Sequence, residues 1–488
     1  MDKTYWNPER LNRLYKDWPA ERIDELKAQI AKSNWRLGYH IQTETGLLND
    51  PNGFSYFNGQ WHLFFQAFPF GGTHGLKSWT HMVSDDLVHW QNTEKPMVPD
   101  TKYDRHGCYS GSAIVVDDKL FLMYTGNVWE KLNEVRHPYQ DGAWMDKDNN
   151  IHKLAEPLIA NPPKGVTGHF RDPQVIKHGD YYYAFLGAQT TDEQGEVVVY
   201  RSAHVDRDWE FYSKLDIGND NLGYMAECPN LLFVDGHPVL TFCPQGADKK
   251  SFKYDNVHPN AYIVADDINW ETMKLINPSK MRQLDDGFDF YAAQGINAPD
   301  GRTLITGWLG LPDTTYPSDD EGWEGGLSMI RELSLDDDNN LIQKPVSEMR
   351  SLALGSADTF NGMEVDKQSL INFKTNQAAD NQVAITAGNT HLVIDIDNEC
   401  QKLTLHRKDV ENDGQDETRS IRLDSGKIEN CSLYLDNTVF ELFINDGYKT
   451  MTGFFFHEGQ HLNLNWTEVE DIKVTKLDNI NINGTTTK

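Results

Sequence analysis

Three acidic residues stand in settings suited to breaking a bond between uncharged groups. Asp50 lies in Asn49-Asp50-Pro51-Asn52-Gly53, Asp172 in Arg171-Asp172-Pro173, and Glu227 in Glu227-Cys228-Pro229-Asn230. Each is followed within two residues by proline, which fixes φ and removes a backbone donor. A lone Asp-Pro is more often a capped turn or half of an ion pair. A cluster of carboxyls is different, because glycoside hydrolysis needs one protonated carboxyl to hand a proton to the leaving oxygen and a second, ionised one to attack or stabilise an oxocarbenium-like centre. The neighbours suggest a division of labour. Arg171 beside Asp172 favours a charged carboxylate there, the apolar surroundings of Glu227 favour a raised pKa, and Asn49 and Asn52 can orient an ionised Asp50.

What would gather three residues so far apart is a repeat. Five segments share one pattern, a small or polar cluster, a short apolar strand, a turn and an aromatic-rich strand. Marking their turns at Gly59, Lys119, Gly179, Gly236 and Gly301 gives spacings of 60, 60, 57 and 65 residues. Asn58-Gly59, Asp235-Gly236 and Asp300-Gly301 are hairpin signals, since the favoured two-residue turns need φ > 0. One hairpin in every sixty residues leaves room for two more strands, so the repeat predicts five four-stranded sheets, a five-bladed β-propeller, rather than an ordinary sandwich. Asp50 precedes its turn marker by nine residues, Asp172 by seven and Glu227 by nine. All three therefore fall at the start of a first strand, the strand that lines a propeller's axis.

The flanks differ from this body. Residues 1–34 read as a helical extension, with Pro19 at the first helical position and Ile23, Leu26 and Ile30 on one face. Residues 35–350 form the propeller. Residues 351–488 change to short strands divided by Asp, Asn and Gly turns, among them His391–Ile396, Leu403–Leu405, Leu433–Leu435, Val439–Ile444 and Gly453–Phe456, the pattern of a C-terminal β-sandwich. The expected fold is all-β.

Charge limits the partners. Lys and Arg number 45 against 74 Asp and Glu, a net charge of −29, which argues against nucleic acid and against an anionic membrane. No stretch approaches the roughly 18 apolar residues of a membrane-spanning helix. The N-terminus lacks the apolar run of a secretory signal, and five cysteines, an odd number without a C-x-x-C pair, suit reduced thiols. A cytoplasmic location is expected.

The ordered set of acid motifs resembles glycoside hydrolase family 32, the invertases and fructanases. Phe65-Gln66, Tyr109-Ser110-Gly111-Ser112-Ala113, Phe288-Asp289-Phe290-Tyr291-Ala292, Gly307-Trp308, Arg331-Glu332-Leu333 and Val439-Phe440-Glu441-Leu442-Phe443 extend the likeness over nearly the whole chain. His74-Gly75-Leu76-Lys77-Ser78-Trp79 and Val135-Arg136-His137-Pro138-Tyr139-Gln140 look like the bacterial branch acting on phosphorylated sucrose. Ala293 and Leu327-Ser328-Met329-Ile330 depart from the usual pattern, away from the acids. The resemblance implies Asp50 as nucleophile, Glu227 as acid/base and Asp172 as transition-state stabiliser, with Arg171 gripping fructosyl hydroxyls. Asn49, Gln66, Trp79, Tyr109, Ser110 and Trp308 would line the fructosyl site. It further implies retaining hydrolysis of the terminal β-fructofuranosyl bond of sucrose 6-phosphate or sucrose, with the two working carboxyls about 5–5.5 Å apart. No metal or organic cofactor is implied. Alternatives on the same acids are a fructan hydrolase or a fructosyltransferase; outside enzymes, an inactive sugar-binding propeller. Lys77, Arg105 and Arg136 are the candidate cations for a phosphate.

Overall fold

The structure, a computed structural model, describes residues 5–131, 135–218, 222–410, 415–424, 426–480 and 482. Five strands organise the first 350 residues: β1 (Gly46–Phe57), β2 (Cys108–Val116), β3 (Val166–His178), β4 (Met225–Val234) and β5 (Tyr291–Asn297). Each opens its own sheet by an antiparallel hairpin, pairing with Gln60–Phe68, Lys119–Glu130, Tyr181–Thr190, His237–Gln245 and Thr303–Leu309 respectively, and β1 also pairs in parallel with Trp323–Glu324. The turn dipeptides do what their types allow. Asn58 and Gly59 sit at φ 50° and 84°, Asp235 and Gly236 at 50° and 87°. In the second repeat the turn is Asp117-Asp118, with Asp117 at φ 54°, and the marker Lys119 is already the first residue of the returning strand.

β2 to β5 are edge strands of their sheets. An edge leaves backbone groups unpaired, a cost that buried groups must offset. Here polar side chains from the neighbouring opening strand supply the partners. The Gly111 amide donates to Asn52 (2.9 Å), Val175 to Ser112 (2.9 Å), Leu231 to Gln174 (2.7 Å), Gly295 to Asn230 (3.4 Å) and Phe54 to Gln294 (2.9 Å). These bonds link β1 to β2, β2 to β3, β3 to β4, β4 to β5, and β5 back to β1, so the cycle is closed. The five opening strands consequently run side by side with their starts at one end.

Two six-stranded antiparallel sheets follow, and they share one core. Ile371, Phe373, Leu433 and Leu435 from one sheet meet Val383, Ile385, Leu392 and Leu405 from the other. Four of the C-terminal strands read from the sequence are present, and the fifth, expected at Gly453–Phe456, lies earlier, at Lys449–Phe454. The helix α1 (Glu21–Ile30) begins two residues later than Pro19 suggests, with Ala20 at the N-cap position and no side-chain cap. Its buried Leu26 and Ile30 pack on Trp323, and Ile23 is half-buried.

The segment Gly38–His40 ties the two regions together. Asp436 accepts from the amides of Gly38, Tyr39 and His40, while the His40 ring reaches Asp436 at 2.8 Å and Glu441 at 3.0 Å. Glu441 also holds Arg331, which pairs with Asp285 on its other side. Burial alone would pull the His40 imidazole down, but the two carboxylates overcome it and lift it to about 9. Its folded pKa thus exceeds the unfolded value, so the stabilisation is complete below about pH 6.5 and is lost as the pH rises through 9. It is worth about 3 kcal/mol. Thermal melts between pH 6.5 and 9.5 should show wild type losing stability steeply and His40→Gln, less stable throughout, changing less; parallel slopes would refute the assignment.

Candidate active site

Asp50, Asp172 and Glu227 come from β1, β3 and β4, at the same end of the cycle. The chain breaks its regular pairing at each: register shifts fall between Leu48 and Pro51, between Arg171 and Gln174, and between Glu227 and Asn230. Such bulges are where a proline is tolerated in a strand. Asp172 itself sits at φ 64° and Cys228 at 49°. The reversed twist at Asp172 lets Arg171 and Asp172 face the same way, with Nε and Oδ2 3.9 Å apart, although neighbours in a regular strand point oppositely.

Asp50 is enclosed by the groups expected around it. Ser110 Oγ donates to its Oδ2 at 2.5 Å, Gln66 Nε2 to Oδ2 at 3.3 Å and Asn49 Nδ2 to Oδ1 at 3.0 Å. Asn49 is fixed in turn by Lys77, whose Nζ donates to its Oδ1 at 2.8 Å. Tyr109 stands next to Ser110 on β2, and Trp308 pairs with Tyr291 across β5 and its hairpin partner. Trp308 Nε1 is buried without a hydrogen-bond partner among the described residues. Trp79 departs from the expectation. It has no accessible surface, donates Nε1 to the Tyr109 carbonyl at 3.1 Å and packs on Phe64 and Tyr124, so it stands behind Tyr109 instead of facing a ligand.

The electrostatics reverse the division of labour read from the neighbours. Arg171 donates through Nε (3.0 Å) and Nη2 (2.5 Å) to Glu227 Oε1, not to Asp172. Burial pushes the Glu227 carboxyl up, but the Arg171 charge and the hydrogen bonds from Arg171 and Tyr291 outweigh it and hold the group below its usual range. Asp172 is pushed up to about 7 by burial, with Glu227 and Asp50 adding to the lift and Arg171 and the Cys228 amide opposing it. Asp50 is raised too, by burial first and then by Glu227, against the bond from Ser110. Apolar flanks in the sequence carried no information about a cation arriving from another sheet.

Two further contacts escaped sequence reasoning. Gln245 Nε2 and the Tyr291 hydroxyl donate to Glu227 Oε2 at 2.7 and 2.8 Å. Tyr291 lies inside a recognised motif and could have been found there; nothing in the sequence singles out Gln245. Of the three candidate cations, Lys77 is buried on Asn49, Arg105 is exposed, and Arg136 is half-buried over the Tyr109 ring, 5.1 Å from its centre. An ionised carboxylate fixed by donors, a second carboxyl in reach of a proton, and a third beside a guanidinium suffice for displacement at an acetal carbon.

The chain is similar to several known proteins. The family model described as "Glycosyl hydrolases family 32 N-terminal domain" matches residues 40–345. A sucrose-6-phosphate hydrolase of Pediococcus pentosaceus is 43% identical over 466 residues, covering 92% of both chains. The structure of sucrose-6-phosphate hydrolase from Lactobacillus gasseri superposes with a TM-score of 0.89 at 38% identity, over 97% of this chain and 100% of that one. A Bombyx mori β-fructofuranosidase, solved as a mutant in complex with sucrose, gives a TM-score of 0.83 at 27% identity, over 98% and 99%.

Proposed function

The chain belongs to glycosyl hydrolase family 32 and is a glycoside hydrolase, and we propose that it cleaves the β-fructofuranosyl bond of sucrose 6-phosphate to fructose and glucose 6-phosphate. One observation carries the reading: Asp50, Asp172 and Glu227, from three different sheets, lie within electrostatic reach of one another, and Asp172 and Glu227 share one guanidinium, Arg171. In this reading Asp50 attacks the fructosyl anomeric carbon while Glu227 protonates the departing glucosyl oxygen. Water, deprotonated by Glu227, then attacks the fructosyl–Asp50 ester and frees fructose. Asp172 and Arg171 grip ring hydroxyls as positive charge develops. Asn49, Gln66 and Ser110 orient Asp50; Tyr109 and Trp308 line the fructosyl pocket, with Trp79 propping Tyr109. Carboxylates carry every proton, so the chemistry calls for no metal and no organic cofactor.

The proton inventory gives binding a role. With Arg171 on Glu227, the acid is held ionised. A fructosyl unit that draws Arg171 onto its hydroxyls removes the main cause of that depression, and burial then raises Glu227 into its working, protonated state.

Two successive displacements return the starting configuration. NMR of the first turnovers should therefore show β-fructofuranose before mutarotation; α-fructofuranose as first product would sink the assignment of Asp50. Growth of oligosaccharides in place of free fructose would point to transfer.

The architecture that fits these contacts is a five-bladed propeller over residues 35–350, supported by the closed cycle of hydrogen bonds, with a helical extension over 1–34 and a sandwich over 351–488. Among the described residues no helix is long and apolar enough to cross a membrane. The unpaired cysteines, four of them buried, are what supports a cytoplasmic location.

A further inference from the structure

Beside the three acids lies a second, unbalanced group of donors. Asn127 is fully buried, and its Oδ1 accepts from Arg136 Nε at 2.7 Å. Because Nε can only donate, the amide is fixed with its NH2 facing away, and that Nδ2 finds no partner among the described residues. Arg136 Nη2 is likewise buried and unpartnered. Two orphan donors joined by one hydrogen bond are costly unless something accepts from both.

The surroundings say what the acceptor is. His169 accepts from Arg171 Nη1 through Nδ1 at 3.1 Å, so its neutral ring carries the proton on Nε2 and adds a donor at an exposed rim position. Arg136 is close enough to Arg171 for mutual repulsion and close enough to Glu227 for attraction. The Tyr109 and Trp129 rings flank its guanidinium at 5.1 and 5.8 Å. Arg171 is directly ion-paired with Glu227 and Asp172, whereas Arg136 feels those two carboxylates only at longer range and makes no direct ion pair among the described residues. In a chain of net charge −29, a cluster of unpartnered donors around a cation without a direct ion pair suits an anion.

We propose that Arg136 and the Asn127 amide, with His169 at the rim, seat the phosphate of the leaving glucosyl unit. The inference rests on the sucrose 6-phosphate reading and gives it its discriminating residues. The guanidinium supplies a forked pair of charge-assisted bonds, and Asn127 both presents it and adds its own N–H. The sugar between phosphate and scissile oxygen then lies against Tyr109 and Trp129, on the Glu227 side of the site. A neutral hexose leaves the orphan donors unsatisfied, which is the stronger source of selectivity.

The test is the ratio of kcat/KM for sucrose 6-phosphate to that for sucrose, in wild type and Arg136→Met. The variant keeps the aliphatic stem, and the ratio should fall roughly 10- to 150-fold, the range for a lost charged hydrogen-bond partner. Asn127→Leu should lower it in the same direction. Glucose 6-phosphate should inhibit wild type more strongly than glucose, and this difference should shrink in Arg136→Met. A wild type indifferent to the phosphate overturns the substrate reading itself. A wild type that prefers the phosphate ester, with that preference intact in Arg136→Met, overturns the role of Arg136 alone. Equal loss on both sugars assigns Arg136 to general positioning and overturns the proposal.

Discussion

Asp50→Ala is expected to lower kcat by roughly 10⁴- to 10⁶-fold, the scale on which nucleophile deletions fall in enzymes with covalent intermediates. The melting temperature should hardly move. Asp50 is a carboxylate that burial already disfavours, so its removal relieves a desolvation cost. The donors it leaves behind also have one another: Gln66 Nε2 reaches Ser110 Oγ at 2.5 Å and Asn49 Nδ2 reaches Gln66 Oε1 at 3.1 Å. Asp50→Asn tests the same point with shape kept, because it retains an acceptor for Ser110 but cannot form the ester. Turnover within tenfold of wild type in either variant would exclude Asp50 as nucleophile. A collapse of the melting temperature would instead show that the carboxylate holds the three opening strands together.

Glu227→Gln should cost about 10²- to 10⁴-fold in kcat on sucrose 6-phosphate, the usual worth of a positioned general acid. The loss should shrink sharply on a fructosyl fluoride, whose leaving group needs no proton. A uniform loss on both would assign Glu227 to binding. The pH dependence carries a second signature. An acid must be protonated to work, so activity is lost above its pKa. In the free enzyme Arg171 and Tyr291 hold Glu227 low, which places the alkaline limb of kcat/KM at low pH. If the fructosyl unit draws Arg171 away, the pKa rises in the complex and the alkaline limb of kcat moves to higher pH. Coincident limbs would mean that Arg171 stays on Glu227 throughout.

Much of the scaffold was legible because local chemistry decides it. Asn-Gly and Asp-Gly adopt φ > 0 at little cost, so the hairpins at Asn58-Gly59 and Asp235-Gly236 stood where those dipeptides fell; Asp117-Asp118 hid its turn from the marker, and Asp300-Gly301 lies in a longer connection, 298–302, with Gly301 but not Asp300 at φ > 0. In the C-terminal region the strands richest in apolar residues were readable. Gln368–Thr375 and Val469–Leu477 were not, because they carry polar and charged side chains among their buried positions.

The acids and their order along the chain could be read from the sequence alone, since residue type, proline placement and repeat spacing are local properties. Which charge meets which was decided only in three dimensions. Arg171 reaches across to Glu227 because Asp172 takes a left-handed backbone at a bulge, and Lys77 is spent on Asn49. Trp79 is sealed behind Tyr109, while Gln245 and Tyr291 arrive from strands with no acid of their own. Electrostatic energy depends on distance through space and on burial, and neither is written in sequence separation.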